Sequence, residues 1–421
     1  MKKVIASIGL MALASASQAV TTLGLNPICN ANGTFVGNVS FNGGTYLRCD
    51  LPTSIAVDDT VVLGTTSTFT HPTYNGKPIV WALPGIVVVG DGNTQNADPS
   101  TVDNTVLQIA AGAQVAGAVD SASALIISRG AQIDAQGTAN DPIVFSSLDN
   151  NMTGSGEWGG LVLAGFGESN ACPSGAITGG QMGDTCTMEG VASAAYFGSG
   201  HLSAPNTMSS GTLEYVVIAE GGHVISDGNE INGLTLYAVN SSTTINNLHV
   251  HGNQDDGVEF FGGNAAITNM WMTCNQDDSV DWDLGYQGYL VNVSIEQGDN
   301  AGYALELANN PDNDNALPRS NGNIYAMSID YVGTGTPANV PFKLKEGTDG
   351  TFQHVIVGSG YNAKNCDETA GAYTSASGQW STINYGCTEI DGDPSNWDMP
   401  VSSGSALGFS GSSFWTAPAC D

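Results

Sequence analysis

Apolar residues in this chain come in short alternating pulses. A V-x-I pattern recurs as Val216/Ile218, Leu248/Val250, Met270/Met272, Val293/Ile295, Met327/Ile329 and Val355/Val357, at steps of 32, 22, 23, 34 and 28 residues. A fixed two-residue alternation at a variable step predicts short parallel strands stacked into a solenoid, with loops that grow at selected corners. Alternation sends Leu248, Val250, Met270, Met272, Val293 and Ile295 inward and makes His249, Trp271 and Ser294 an outward column. By the same parity Val258, Phe260, Val280, Trp282, Tyr303 and Leu305 point inward. Leu107–Val115 and Leu125–Ile133 repeat at a step of 18 and read as one short coil. No long helical period is present, and 55 Gly and 16 Pro punctuate the pulses. The fold class predicted is all-β: a right-handed single-stranded parallel β-helix over residues 101–360, with a disulfide-bearing insertion near 150–210. An N-terminal cap precedes it over 20–100, and a Gly/Ser-rich capping tail with Trp380, Trp397 and Trp415 follows over 361–421.

The charge changes the picture of what such a surface can meet. The 421 residues carry a formal charge of −31, and no Lys or Arg occurs between Arg129 and Arg319. A surface this negative excludes nucleic-acid backbones and anionic membranes as partners and favours divalent cations. Lys2 and Lys3, an apolar run from Val4 to Ala16 and the small-x-small site Ser17-Gln18-Ala19 read as a signal peptide over 1–19, so the mature chain is expected to be secreted, periplasmic or at the cell surface. No later apolar run is long enough for membrane insertion. Eight Cys follow the signal; proximity suggests Cys29–Cys49, Cys172–Cys186 and Cys366–Cys387, with Cys274 and Cys420 left open.

Within the uncharged-base gap an acidic block repeats. Asn253-Gln-Asp-Asp-Gly-Val-Glu-Phe260 returns after 22 residues as Asn275-Gln-Asp-Asp-Ser-Val-Asp-Trp282. One solenoid turn would place equivalent carboxylates roughly 4.8 Å apart, where they repel by about 3.5 kcal/mol at an effective dielectric of about 20. With no base in sequence reach, a bound cation is the natural counter-charge. Asp255, Asp256, Asp277, Asp278, Asp281 and Asp283 are therefore candidate Ca2+ ligands, stacked as Asp255 over Asp277, Asp256 over Asp278, Glu259 over Asp281 and Asp283 over Glu306. The bland reading is that these Asp and Asn residues cap turns and keep the stack soluble, with Asn253 and Asn275 as an amide ladder.

Several strings carry a resemblance: Ala124-Leu-Ile-Ile-Ser-Arg-Gly-Ala131, Asn140-Asp-Pro-Ile-Val-Phe-Ser146, Gly156-Glu-Trp-Gly-Gly160, Asn229-Glu-Ile-Asn-Gly-Leu-Thr-Leu236, the two acidic blocks and Leu317-Pro-Arg-Ser-Asn321. Over roughly residues 100 to 360 the chain resembles exported bacterial right-handed parallel β-helix proteins of pectin-lyase-like architecture without an assigned activity. The resemblance implies the fold and leaves the activity open.

A catalytic alternative rests on a second likeness. Polygalacturonase-type hydrolases stack Asn-x-Asp on one coil and Asp-Asp on the next, to which Asn253-Gln-Asp255 and Gln276-Asp-Asp278 are similar in order. That resemblance implies inverting glycoside hydrolysis, with Asp278 as general acid and Asp255 or Asp277 activating water. The Gly-His-Gly and Arg-x-Lys that continue the family's pattern have no counterpart at matching positions. A lyase would need a base from Arg319, Lys343, Lys345 or Lys364, all on downstream coils. His249 and His251 form an H-x-H pair that reads as two surface histidines before it reads as a metal site. His249 and Trp271 are candidate ligand-binding residues, the indole either stacking a sugar ring or seating against a loop. Together these expectations describe a secreted, calcium-binding β-helix presenting its lateral face to a glycan or to a cell-surface or outer-membrane protein.

Overall fold

The computed structural model describes residues 26–94, 97–149, 151–171, 186–188, 191, 196–198, 208–226, 229–337, 341–358, 366–368 and 411–420. Among these residues the chain winds into coils whose strands pair in parallel in two large sheets. The first sheet includes Gly211–Ala219, Thr244–His251, Ala266–Thr273, Tyr289–Gln297, Asn321–Tyr331 and Asp349–Val357 in sequence order. The second includes Leu161–Ala164, Leu234–Tyr237, Val258–Phe261, Val280–Asp283, Leu305–Leu307 and Phe342–Leu344, again in order. Successive neighbours with sequence-ordered parallel pairing are the mark of a β-helix. Parallel pairing reaches back to Gly44–Asp50 against Ile79–Leu83, inside the segment expected to cap the solenoid.

All the V-x-I pulses are in register: Val216, Leu248, Met270, Val293, Met327 and Val355 stand opposite one another on successive strands. The six residues expected to point inward from this sheet are fully buried in one continuous core. One residue before each pulse the backbone enters the left-handed region, at Tyr215, Asn247, Asn269, Asn292, Ala326 and His354, with φ between 49° and 61°. Such a residue turns an extended strand through a corner, and Asn tolerates that conformation better than most side chains. The corner is reinforced by an amide ladder, Asn292 Nδ2 donating to Asn269 Oδ1 at 2.9 Å and Asn269 Nδ2 to Asn246 Oδ1 at 3.0 Å.

From the second sheet Val258, Phe260, Val280, Trp282 and Leu305 enter the same core. Trp282 is held by its Nε1 donating to Thr348 Oγ1 at 2.9 Å, and Gly322 lies against its ring so closely that a Cβ there would meet Cζ3 at 2.6 Å. Tyr303 departs from the expected inward set. It precedes the strand Leu305–Leu307, so strand parity does not govern it, and its half-buried ring faces outward beneath Lys343.

The 18-residue repeat is not a coil. Leu107 pairs with Ile133 in the first sheet, whereas Leu125 pairs with Leu161 in the second. What the two segments share is a corner, with Gly112 and Gly130 at φ of +78° and +87°. Cys29–Cys49 is a disulfide, as spacing suggested, and Cys274 joins Cys420 across 146 residues. The pairings Cys172–Cys186 and Cys366–Cys387 lie outside the described residues. No described helix is long and apolar enough to cross a membrane.

Candidate metal centre

On the second sheet, register aligns Thr235, Glu259, Asp281, Glu306 and Lys343 on successive strands. Their neighbours Val258, Val280, Leu305 and Phe342 fill the core, so this column is forced outward by two-residue alternation. The turn before each strand adds Asp255 and Asp256, then Asp277 and Asp278. Those turns are stacked by the backbone: Gln276 N donates to Asn253 O at 2.8 Å, Gly257 N to Asp278 O at 2.9 Å, and Asp278 N to Asp256 Oδ1 at 3.0 Å. Asn253 N donates to Asn275 Oδ1 at 3.1 Å, one rung of the amide ladder read from the sequence.

The result is a cavity of about 400 Å3 walled by carboxylates, with Tyr303, Lys343 and Lys345 at one end. Three overlapping triads offer carboxylate oxygens within 4.8 Å of one another: Asp255, Asp256 and Asp277; Asp256, Glu259 and Asp281; Asp278, Asp281 and Glu306. Asp255 and Asp277 thus face the same space. Asp256, Asp278, Asp281 and Glu306 are buried, whereas Asp277 is exposed. Asp281 is 9 % exposed, and its buried Oδ1 accepts no hydrogen bond among the described residues. A buried carboxylate oxygen without a donor is costly unless a cation meets it.

Burial pushes the carboxyls of Asp256, Asp278 and Asp281 well above the usual range, and their neighbours push further: Asp278 at Asp256, and Glu306 at Asp278 and Asp281. At Glu306 burial acts the same way, but Lys345 and Lys343 outweigh it and hold that carboxyl below its ordinary value. Lys343 Nζ lies 2.5 Å from Glu306 Oε2, Lys345 pairs with Oε1, and Lys343 also sits 5.0 Å above the Tyr303 ring. The cleft is therefore asymmetric, with both of its lysines at the Glu306 end.

Sequence reasoning missed that compensation. Lys343 and Lys345 alternate with Phe342 and Leu344, a signal that both face outward, but the turn preceding them is too long for residue counting to place. It also misplaced Asp283. Val280 pairs with Leu305, which sets Asp281 beside Glu306 and leaves Asp283 next to Phe261, outside the three triads of the cleft. Core pairing of Trp282 with Leu307 fixes that register.

The carboxylate triads could hold a metal ion. Calcium takes six to eight oxygens, of which each triad brings three together, whereas an inverting hydrolase holds its two carboxyls roughly 6.5 to 9.5 Å apart. Asp278, the acid of that reading, shares its triad with Asp281 and Glu306 and not with Asp255 or Asp277, and one of its oxygens is engaged by the Tyr303 amide. A fourth triad, Asp149, Glu157 and Glu220, is different in kind. There Ser147 N and Gly154 N donate to Glu220 at 3.2 and 3.1 Å, and the Ser147 hydroxyl donates to Glu157.

His249 and Trp271 stand side by side on the first sheet, but neither is open to solvent. The segment Gly411–Cys420 lies over them: Trp271 Nε1 donates to Gly411 O at 3.1 Å, and His249 Nδ1 meets Ser413 Oγ at 2.7 Å. Trp271 is 8 % exposed, its indole N–H held by that segment. The histidines read as surface residues are buried as well. They share one face and one partner, His249 Nε2 and His251 Nδ1 lying 2.9 and 2.8 Å from Thr273 Oγ1. Burial, with His251 adding to it at His249, pushes His249 down to about 3, and burial pushes His251 down to about 4. Burial thus favours the neutral form of both rings, and both nitrogens of His249 are engaged by the chain.

No curated protein and no solved structure matches the chain. A family model described as a pectate-lyase-like β-helix domain matches residues 92–402, across both sheets and the acidic cleft. With most of its length matched and the coils present as described, the chain belongs to the pectate-lyase-like β-helix family.

Proposed function

We propose that this protein is an exported β-helix that binds calcium in the acidic cleft of its second sheet and presents that face to a glycan or to an outer-membrane partner. The observation that carries the reading is the buried Asp281 Oδ1, which has no donor and stands where two carboxylate triads overlap. Acids in this number, brought together by coil stacking with two lysines at one end only, favour the folded state when a divalent ion completes them. The cation would in turn offer open coordination positions to ligand oxygens, which is how an acidic surface can hold a hydroxyl-rich partner. Export is supported by the leader-like sequence at residues 1–19 and by the two disulfides among the described residues, which persist in an oxidising compartment. Calorimetric titration of the chelated protein with calcium tests the metal reading. Saturable binding that disappears in Asp281→Asn is expected; absence of binding at millimolar calcium would overturn it.

A hydrolytic reading retains one point in its favour, the buried Asp278 carboxyl, whose environment favours the protonated form a general acid requires. Turnover of a neutral glycan set by the intact protein, lost in Asp278→Asn without loss of fold, would establish it. The Tyr303 amide engaging one oxygen of Asp278 weighs against it, and no turnover is expected.

A further inference from the structure

The first sheet carries a second site, independent of the acidic cleft. Over its outward column the segment Gly411–Cys420 is latched by the Cys274–Cys420 disulfide, by Ser413 on His249 and by Gly411 on Trp271. Phe414 meets Trp271 edge-on at 5.7 Å, and Trp415 meets His249 edge-on at 4.9 Å. A segment serving only as a cover would lie flush on the sheet. This one instead bridges a cavity of about 520 Å3 that opens between it and the sheet. That volume falls within the roughly 300 to 1,000 Å3 of small-ligand sites.

The lining defines the chemistry. Two indoles, Trp271 and Trp415, border the cavity together with the exposed Glu296 carboxylate and the Ser294 hydroxyl. Indole faces pack against the C–H faces of a sugar ring, while a carboxylate and hydroxyls accept and donate to its hydroxyl groups. No Lys or Arg is among the described residues bordering it, and the chain's charge of −31 repels anionic sugars. His249 does not reach a ligand, because both ring nitrogens are already bonded to Ser413 and Thr273. Its role is to hold the outer wall in place.

We propose that this cavity binds a neutral pyranose saccharide between the C-terminal segment and the first sheet, with Trp271 and Trp415 as packing surfaces and Glu296 as hydroxyl acceptor. The test uses the full chain and the probes cellobiose, maltose, chitobiose and mannobiose, followed by tryptophan emission and calorimetry, each with calcium and with chelator. At least one should give saturable binding that chelator leaves unchanged, which separates this site from the calcium cleft. Trp271→Ala should weaken it by roughly tenfold or more, and Trp271→Phe by less. Cys274→Ser with Cys420→Ser should also weaken it while the circular dichroism of the sheets is kept, because the outer wall is freed. Digalacturonate should bind at least roughly tenfold more weakly than the best neutral probe. Absence of saturable binding for all four neutral probes, or binding indifferent to Trp271→Ala in a folded variant, would overturn the proposal.

Discussion

On the first sheet, each imidazole and indole that parity turns outward meets a partner from the chain itself: Ser413, Gly411 or Thr273. On the second sheet the same parity turns out Glu259, Asp281 and Glu306; Asn232 donates to Glu259 and Lys343 and Lys345 pair with Glu306, while Asp281 Oδ1 between them accepts no hydrogen bond among the described residues. The two columns arise from identical stacking rules and differ in what completes them. One is closed by a distant segment of the same polypeptide, and the other leaves the buried Asp281 Oδ1 without a donor among the described residues. Vertical register in a β-helix thus sets which side chains meet, while loops and tails decide whether they are satisfied.

The largest effect should come from removing the compensation. Lys343→Ala with Lys345→Ala leaves Glu306 buried among acids, and denaturant unfolding should report a loss of about 3–5 kcal/mol in chelator, partly recovered by calcium. Next is the cation itself. Calcium at about 100 times its dissociation constant should stabilise the protein by about 2.7 kcal/mol, read as a raised Tm that Asp281→Asn forfeits. The Asp281→Asn protein should also be the more stable of the two in chelator, since one buried charge is gone; if it is less stable there, Asp281 has a partner from the chain and the contrast between the sheets fails.

The corner ladder provides a control that touches neither column. Asn269→Val should cost about 1–3 kcal/mol because a β-branched residue is strained at φ of 56°, whereas Asn269→Gly should cost less. The most discriminating effect is that of pH. The depressed His249 and His251 contribute stability that is present above their unfolded value near 6.5 and lost as pH falls toward 4 and 3. The raised Asp256, Asp278 and Asp281 act oppositely in the metal-free protein, whose stability is greatest below their unfolded values and declines as pH rises through the elevated folded ones. Acid should therefore loosen the C-terminal segment, seen as a red shift of tryptophan emission as Trp271 and Trp415 meet solvent, under conditions that relax the acidic cleft. Release of the segment on raising the pH instead would reverse the assignment.

Much of this was legible in the sequence because two-residue alternation is a local property. Leu248/Val250 and Met270/Met272 are buried and in register as alternation implies, and Glu259 stands over Asp281 as the 22-residue step requires. Errors arose where a local signal had to be carried across a loop. Asp283 was set over Glu306 by counting, but apolar pairing of Trp282 with Leu307 decides the register. The step of 18 between Leu107 and Leu125 matched two Gly corners belonging to different sheets. Nothing local to His249 or Trp271 announced that Gly411–Cys420, more than 130 residues later, would cover them. The burial of those rings is a tertiary event, recorded in the sequence only by the unassigned pair Cys274 and Cys420.

The row of left-handed residues from Tyr215 to His354 gives each coil its own hinge at the same height along the strand. Because the crease is written separately into every repeat, a coil can be duplicated, lost or lengthened at its outer loops without misaligning those above and below. Growth of the solenoid is thereby modular, and new side chains can be added to either face one storey at a time.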